Sequence, residues 1–371
     1  MKSFFKKMYR NIKNFYYNIC TQTDWTYCSM IILVLFGYVL LHDILGEKLL
    51  EHNIWDSYTL QAKAWLDGHT YLDKNYTHLE LAIYNVLLYG EDKIMVSYAM
   101  SMYQNNDGGF GHAIEPNNTC PLSSAISTLF ALNILKMVGF NRNNLDEMTN
   151  EMIVKAMKYV LSVVEKKDYM IYPVNKETNQ YPHAKWLEYS IDMIEKYNIN
   201  PALNLYALVM YFAKPKTKFY DKAYLNLKKC IDYYLENKVD YQTIIGAINA
   251  YEVLINDGII YKKEELKEKI ISDIKTTITP LDLWNNNDRI LPTDLIINKE
   301  FLTSDLEELY QASLEFLITS RTKIGVWDIN YNWENEYEED YEMARIKWQG
   351  YITVINIYTL FINGCVEEWM E

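Results

Sequence analysis

Beyond residue 86 the chain repeats apolar positions with the period of an α-helix. In the run 122–137, Ala125, Leu129, Phe130 and Ile134 fall on one face, and Gly139 follows where a helix commonly ends. The same pattern predicts helices at 91–104, 122–137, 144–164, 200–212, 220–235, 241–255, 263–277, 304–318 and 342–363. Nearly the whole body is therefore predicted to be helical, and the fold class all-α.

Two of these helices have start signals. Asn200 followed by Pro201 is the sequence of an N-cap residue and a proline at the first helical position. Ser304 with Glu307 three residues later has the spacing of a capping box. We therefore expect one helix to open at Pro201 and another at Ser304.

The first 24 residues form a basic leader, with five basic residues against one acidic residue, Asp24. Apolar positions such as Phe5, Met8 and Ile12 recur at helical spacing between the lysines, which predicts a basic amphipathic helix. Adsorption to an anionic leaflet and a solvated leader before a membrane span both fit this pattern.

Residues 25–45 read WTYCSMIILVLFGYVLLHDIL, and no charge or amide interrupts Met30 to Leu41. A helix of about 21 such residues would cross a hydrocarbon core of roughly 30 Å. A cleaved signal peptide is the competing interpretation, but no small-x-small cleavage site follows Leu41. The basic flank before the span and the acidic flank after it predict a single-pass cell-membrane protein with a cytoplasmic N-terminus and an extracytoplasmic C-terminal domain.

Residues 103–117, YQNNDGGFGHAIEPN, concentrate turn-forming and polar residues between apolar helical runs. Asp107-Gly108-Gly109 favours a tight turn with positive φ, so the preceding helix is expected to end near Gln104. Phe110 would then dock back onto that helix.

Gln104, the two glycines and Phe110 resemble the Gln-x(n)-Gly-x-Trp/Phe repeat of terpenoid cyclases and protein prenyltransferase β subunits. The string DGGFGHAIEPN is similar to a group of uncharacterised bacterial proteins that share the same fold. The resemblance covers about 86–371, and it implies an α/α toroid of antiparallel helical hairpins around a central cavity, here preceded by the N-terminal transmembrane helix. Further matching stretches are 181–186, 200–203 and 325–327, with Trp333 and Trp348.

The acidic Asp-x-Asp-Asp motif of the cyclases and the zinc ligands of the prenyltransferases have no counterpart in this chain. Its five cysteines are scattered and form no Cys-x-x-Cys pair. The resemblance therefore implies the fold without the family chemistry, and we predict neither a cofactor nor a metal.

Residues 46–85 resemble a different family, the polytopic glycosyltransferases that use lipid-linked sugars, through Ala64-Trp65-Leu66-x-Gly68 and Leu81 to Asn85. The likeness stops at Asn85. The predicted organisation is a leader (1–24), a transmembrane helix (25–45), a glycosyltransferase-like linker (46–85) and a toroid domain (86–371). A genuine fusion and a gene-model artefact both account for the join.

Candidate site residues come from three polar or aromatic segments. General acid–base chemistry on a sugar would use carboxylates and a histidine, and the candidates for it are Asp107, His112, Glu115 and Asp328. Aromatic residues and one histidine are candidates for ligand contact, namely Phe110, Tyr181, His183, Trp186, Trp327, Trp333 and Trp348. The competing interpretation is that these groups cap helices, bond loop carbonyls and fill the core.

The net charge of −13 makes nucleic acid an unexpected partner, because an acidic body repels phosphate backbones. The predicted partners are the lipid bilayer and a small-molecule, glycan or polyprenyl ligand. Two functions stay open: binding or processing of an envelope carbohydrate or isoprenoid-linked substrate, and a non-catalytic tethered scaffold or binding module. A remnant of a membrane glycosyltransferase fused to a toroid is a further alternative. Carboxylates from 107–115 and 327–334 around one aromatic pocket would favour the enzyme.

Overall fold

The structure is a computed structural model that describes residues 78–164, 169–323, 325–334 and 337–365. The leader, the predicted membrane span with Met30 to Leu41, and the linker up to residue 77 lie outside the described residues. Within the described residues, no helix combines the length and the apolar character needed to cross a bilayer.

The regular structure of the described residues is helical, which confirms the all-α class. The helices are α1 (His78–Tyr89), α2 (Ile94–Ser101), α3 (Ala125–Met137), α4 (Glu147–Ser162), α5 (Met193–Tyr197), α6 (Ala202–Phe212), α7 (Lys218–Glu236), α8 (Tyr241–Asn256), α9 (Lys263–Thr277), α10 (Pro292–Leu295), α11 (Glu307–Thr319) and α12 (Glu338–Ile362). Short 3₁₀ turns lie at Lys176–Gln180, Lys185–Leu187, Leu281–Leu283 and Lys299–Phe301.

Side-chain caps set the starts of several helices. Ser124 accepts a hydrogen bond from the backbone N–H of Ser127 at the start of α3. Asp146 caps α4 and Asp240 caps α8 through the N–H three residues further on. Each cap satisfies a backbone donor that has no partner inside the helix. The helix predicted at 263–277 coincides with α9.

The two start predictions based on Asn200-Pro201 and Ser304 are wrong. Pro201 is itself the N-cap of α6, and the Asn200 amide donates to Gln242 Oε1 at 3.1 Å instead of capping the helix. Helix α11 begins only at Glu307, with Leu306 as an N-cap that makes no side-chain bond. Leu306 is buried, so core packing rather than a polar cap fixes this helix start.

Helix α1 was not predicted, and it runs across residue 86, the expected start of the toroid domain. Its residues Leu79, Ala82 and Ile83 are buried in the main core. It packs against α12, and a Cβ added to Gly350 would lie 3.6 Å from Glu80 Cγ. The described core therefore includes residues that precede 86, while the domain division itself stays a prediction.

The helices pack largely in chain order, and the last helix returns to the first. Helix α2 contacts α3 and α4, both of these contact α6, and α4 also contacts α7. Helix α6 contacts α8, and α8 contacts α9 and α10. Helix α10 contacts α11, α11 contacts α12, and α12 packs on α1. Helix α6 is nearly all buried, and Gly246 of α8 lets the two helices approach closely, since a Cβ there would lie 3.1 Å from Asn204 Cβ.

A turn at 104–111 follows α2, as Asp107-Gly108-Gly109 predicted, although α2 ends at Ser101 and not near Gln104; the turn also connects α2 to α4. Gln104 Nε2 donates to Gly108 O and to Met152 O, both at 2.9 Å. Gly108 has φ +93°, and a Cβ at that position would lie 2.3 Å from Lys155 O, so only glycine fits. Phe110 is fully buried in this turn, residues 104–111, which we call the corner.

Candidate functional site

A cavity of about 580 Å³ lies among α3, α6, α8 and α12. We call it the aromatic cavity. Its lining residues are five aromatics (Phe130, Trp186, Tyr241, Tyr331, Trp348), five amides (Asn117, Asn133, Asn200, Asn204, Gln242), two acids (Glu115, Asp288) and four aliphatics (Ile126, Leu129, Ile245, Ile352). Among these described lining residues there is no Lys, Arg or His. The cavity is large enough for a small-molecule ligand.

The aromatic rings hold one another in place. Trp348 packs edge-on against Phe130 with 5.7 Å between ring centroids, and Trp186 packs edge-on against Tyr331 at 5.4 Å. Edge-on contacts of this kind are favourable and fix ring orientation. The cavity therefore has rigid aromatic walls.

Behind the wall, Asn249 holds two of the lining amides. Its Nδ2 donates to Asn204 Oδ1 at 2.7 Å and to Asn133 Oδ1 at 3.3 Å. Lys136 donates to Asn249 Oδ1 and pairs with Glu252, and it does not line the cavity. The Asn133 and Asn204 oxygens thus have fixed positions, and the nearby ammonium group is already paired.

Asn117 is the centre of a second network. Its Oδ1 accepts from the indole nitrogens of Trp333 at 2.9 Å and Trp348 at 3.1 Å. Indole nitrogens only donate, so the amide oxygen must face the two tryptophans and Nδ2 must face the other way. There Nδ2 donates to Glu115 Oε1 at 2.9 Å and lies 3.2 Å from the Tyr331 hydroxyl.

Glu115 is the one predicted acid that the structure places on the aromatic cavity. Its side chain is 6% exposed, and burial raises the pKa of Glu115 to about 7, although the hydrogen bonds from Asn117 act in the opposite direction. Within the described residues, its second oxygen, Oε2, is buried without a hydrogen-bond partner. A carboxyl group with a pKa near neutrality can hold or release a proton under ordinary conditions.

Asp107 and His112 lie in the turn instead. Asp107 Oδ1 accepts from Gly109 N at 3.0 Å and from Ser123 Oγ at 2.6 Å. His112 is exposed, and its Nε2 lies 3.0 Å from Asn105 Oδ1. The His112 contact lies within the loop, the Asp107 bonds also reach Ser123 beyond it, and neither side chain lines the aromatic cavity.

Asp328 lies on a neighbouring cavity of about 200 Å³, which shares Tyr331 and Ile352 with the aromatic cavity. The guanidinium of Arg345 bonds both carboxylate oxygens, with Nε at 2.9 and 3.1 Å. Burial alone would raise the pKa of Asp328, but the hydrogen bonds and charge of Arg345 hold it below its ordinary value. Asp328 is therefore an ion-paired carboxylate on a different cavity from Glu115.

Of the predicted ligand-contact residues, Trp186 and Trp348 line the aromatic cavity, and Trp333 stands behind Asn117. Phe110 is fully buried in the core. The remaining three do not line the aromatic cavity. Trp327 lines the smaller cavity and donates to Leu317 O, and His183 Nδ1 donates to the backbone oxygen of the third, Tyr181, at 2.7 Å. The contact role of the whole set stays a prediction.

Sequence reasoning missed most of the polar lining. Asn133 and Asn204 are the single amides of the largely apolar runs AISTLFALNILKM and ALNLYALVMYF, and Asn249 lies in the apolar part of α8. An amide inside an apolar helical run is a detectable signal, because a buried amide needs partners. Tyr241, Asp288 and Tyr331 carry no comparable mark.

Among the residues that the structure describes, no group of three His, Cys, Asp or Glu is placed to hold a metal ion. No family model, no curated protein and no solved structure matches this chain.

Proposed function

We propose that the described helices form a closed α/α toroid whose aromatic cavity binds a neutral carbohydrate. The observation that carries the proposal is the lining itself: five aromatic rings, five amides and two acids, with no cationic side chain among the described lining residues.

The proposal that the helices form a closed ring is based on the order of the packing contacts. Most helices contact the next helix along the chain, and α12 returns to pack on α1. The cavity is lined by residues of α3, α6, α8 and α12, which come from separate parts of that order. A closed ring of hairpins would place these four helices around one interior.

The ligand class follows from what the lining offers. Aromatic faces contact the apolar C–H face of a sugar ring, and amides both donate to and accept from its hydroxyls. The Asn133, Asn204 and Asn117 amides are held in place by partners behind the wall, so they would lose little freedom on binding.

The same lining disfavours an anionic ligand. A phosphate or carboxylate in the aromatic cavity would meet the carboxyl groups of Glu115 and Asp288, and no lining Lys, Arg or His would pair with its charge. The nearby Lys136 is paired with Glu252. Within the two ligand classes that the sequence left open, the cavity thus favours the carbohydrate over a polyprenyl phosphate.

The test is binding of the full-length chain to cellotetraose, maltotetraose, chitotetraose and farnesyl phosphate, measured by calorimetry. We expect at least one neutral sugar to bind and farnesyl phosphate not to.

Two tyrosines of similar exposure make a matched pair: Tyr241, 40% exposed, lines the cavity, and Tyr98, 53% exposed, does not. Tyr241→Ala should weaken sugar binding about tenfold, since a stacked aromatic ring contributes on the order of 1 kcal/mol or more, and Tyr98→Ala should leave it within twofold. Binding of farnesyl phosphate alone would overturn the proposal.

Residues 25–45 are proposed to tether this domain to the outer face of a cell membrane, on the strength of their apolar run and flanking charges. The full-length chain should stay in the membrane fraction after alkaline carbonate extraction, and a chain lacking residues 1–45 should not. Release of both would remove the tether from the proposal without affecting the cavity.

A further inference from the structure

We propose that Glu115 carries a proton on Oε2 at neutral pH and presents it to the aromatic cavity, and that Asn117 is the positioning residue that fixes the proton on that oxygen. The inference deepens the carbohydrate-binding function proposed above, and one arm of its test is independent of any ligand.

The location of the proton follows from the hydrogen bonds. Trp333 and Trp348 occupy the Asn117 oxygen, so Asn117 Nδ2 must point at Glu115 Oε1. Because Oε1 accepts from an N–H group, the proton of a neutral Glu115 belongs on the other oxygen. Within the described residues that oxygen, Oε2, is buried and has no partner.

The surroundings favour the neutral form. No described residue that lines the cavity is cationic, so nothing there offsets a carboxylate charge on Glu115. The titratable groups that interact with it are Tyr331 and Tyr241, and Asp288 lines the same cavity. Burial also raises the pKa values of both tyrosines, so they stay neutral near pH 7.

A bound neutral sugar would strengthen this preference. It would displace water from around Glu115 and offer oxygen atoms that accept a hydrogen bond from the proton on Oε2. The protonated form should therefore bind the sugar better than the carboxylate. By linkage, a ligand that binds the protonated form loses about tenfold in affinity for each pH unit above the pKa of the free protein.

The ligand-free arm follows the carboxyl carbons of the full-length, ¹³C-glutamate-labelled chain by NMR from pH 4 to pH 9. The Glu115 signal is identified as the one that Glu115→Gln removes. We expect it to titrate near neutral pH, well above the exposed glutamates, for which Glu151→Gln identifies a reference signal. Titration of Glu115 below pH 5.5 would overturn the inference.

The positioning role is tested with Asn117→Asp. This variant keeps an oxygen for the two indole donors and replaces only the amide that donates to Glu115. Glu115 and the carboxyl group introduced beside it should then share a proton, and the upper titration step of the pair should rise by about one pH unit or more relative to the wild type. An unchanged Glu115 titration in a folded Asn117→Asp protein would show that Asn117 does not act through Glu115.

The ligand arm measures binding of the best neutral sugar of the panel between pH 5.5 and pH 8.5. Wild type and Glu151→Gln should lose affinity above neutral pH, and Glu115→Gln, whose side-chain amide donates from the Oε2 position, should be independent of pH. Parallel pH profiles for wild type and Glu115→Gln would overturn the inference. Absence of sugar binding at every pH would instead remove the proposed function, and the NMR titration would then decide the proton location alone.

Discussion

The segment 103–117 contains two neighbouring regions with similar residues and opposite use. Residues 104–112 and residues 115–117 both combine a carboxylate with amide side chains. In the first region the polar groups bond the turn and its neighbours, and in the second they line a cavity and leave one carboxyl oxygen unpartnered among the described residues. The two regions are separated by only a few residues.

The difference lies in where the partners come from. Asn105 Nδ2 donates to Pro121 O and Ser123 Oγ, and Asp107 accepts from Ser123, so the turn is bonded to a segment close by in sequence. Asn117 instead bonds Trp333 and Trp348, more than two hundred positions away. The bonds of Asn105 and Asp107 span 16 to 18 positions, whereas the bonds of Asn117 to the two tryptophans assemble a site from distant segments. Gln104 is the exception in the turn, because it also bonds Met152 O.

The largest expected effect concerns the corner. Gly108→Ala would force φ +93° on a residue with a Cβ and place that Cβ 2.3 Å from Lys155 O. We expect a loss of about 3 kcal/mol or more in the free energy of unfolding, measured by urea denaturation.

Gly139→Ala is the matched control, because Gly139 also has a positive φ, +86°, but nothing lies within 4 Å of the added Cβ. It should cost only about 1 kcal/mol, which is the backbone strain alone. Equal losses in the two variants would show that the contact between the corner and α4 contributes nothing.

A second prediction uses pH to separate the two regions. Burial raises the pKa of Glu115 from 4.5 to about 7, so the folded protein holds this proton more tightly than the unfolded chain does. The contribution of the Glu115 proton to the free energy of unfolding is therefore complete below about pH 4.5, and it is lost as the pH rises to about 7. The size is about 3 kcal/mol, at roughly 1.4 kcal/mol per pKa unit. Relative to wild type, Glu115→Gln should gain that amount between pH 4.5 and pH 7.5.

Two other groups act in the same window and remain in both proteins, so the difference between variant and wild type is the quantity to measure. Burial raises the pKa of Glu80 to about 7 and that of Asp294 to about 6. Asp107→Asn serves as the control from the corner, because an asparagine oxygen can still accept from Gly109 N and Ser123 Oγ. Its free energy of unfolding should stay within about 0.5 kcal/mol of wild type at pH 7. A flat Glu115→Gln difference would contradict the assignment.

Much of the fold was predictable because local rules decide it. The helices at 122–137, 241–255 and 263–277 were placed within a few residues of α3, α8 and α9, since their apolar period and caps act over one or two turns. The corner at Gly108 was predictable for the same reason. Helix α1 was missed, and Leu306 rather than Ser304 precedes α11, because core packing fixed both.

The site was predictable only in part. Glu115, Trp186 and Trp348 were named and do lie on the aromatic cavity, but Asp107 and His112 belong to the turn and Asp328 is paired with Arg345. Residue type identifies which groups can do chemistry. It does not reveal whether their hydrogen-bonding capacity is already used by neighbours.

The sequence by itself determined that this body is helical, where most helices lie, and that a glycine corner follows Gln104, because helical period and backbone conformation are properties of a few adjacent residues. Only the tertiary structure decided that Glu115 faces a cavity without a lining cation and that Asn117 is held by Trp333 and Trp348. Those facts depend on contacts between residues far apart in the chain, and such contacts form only when the helices pack.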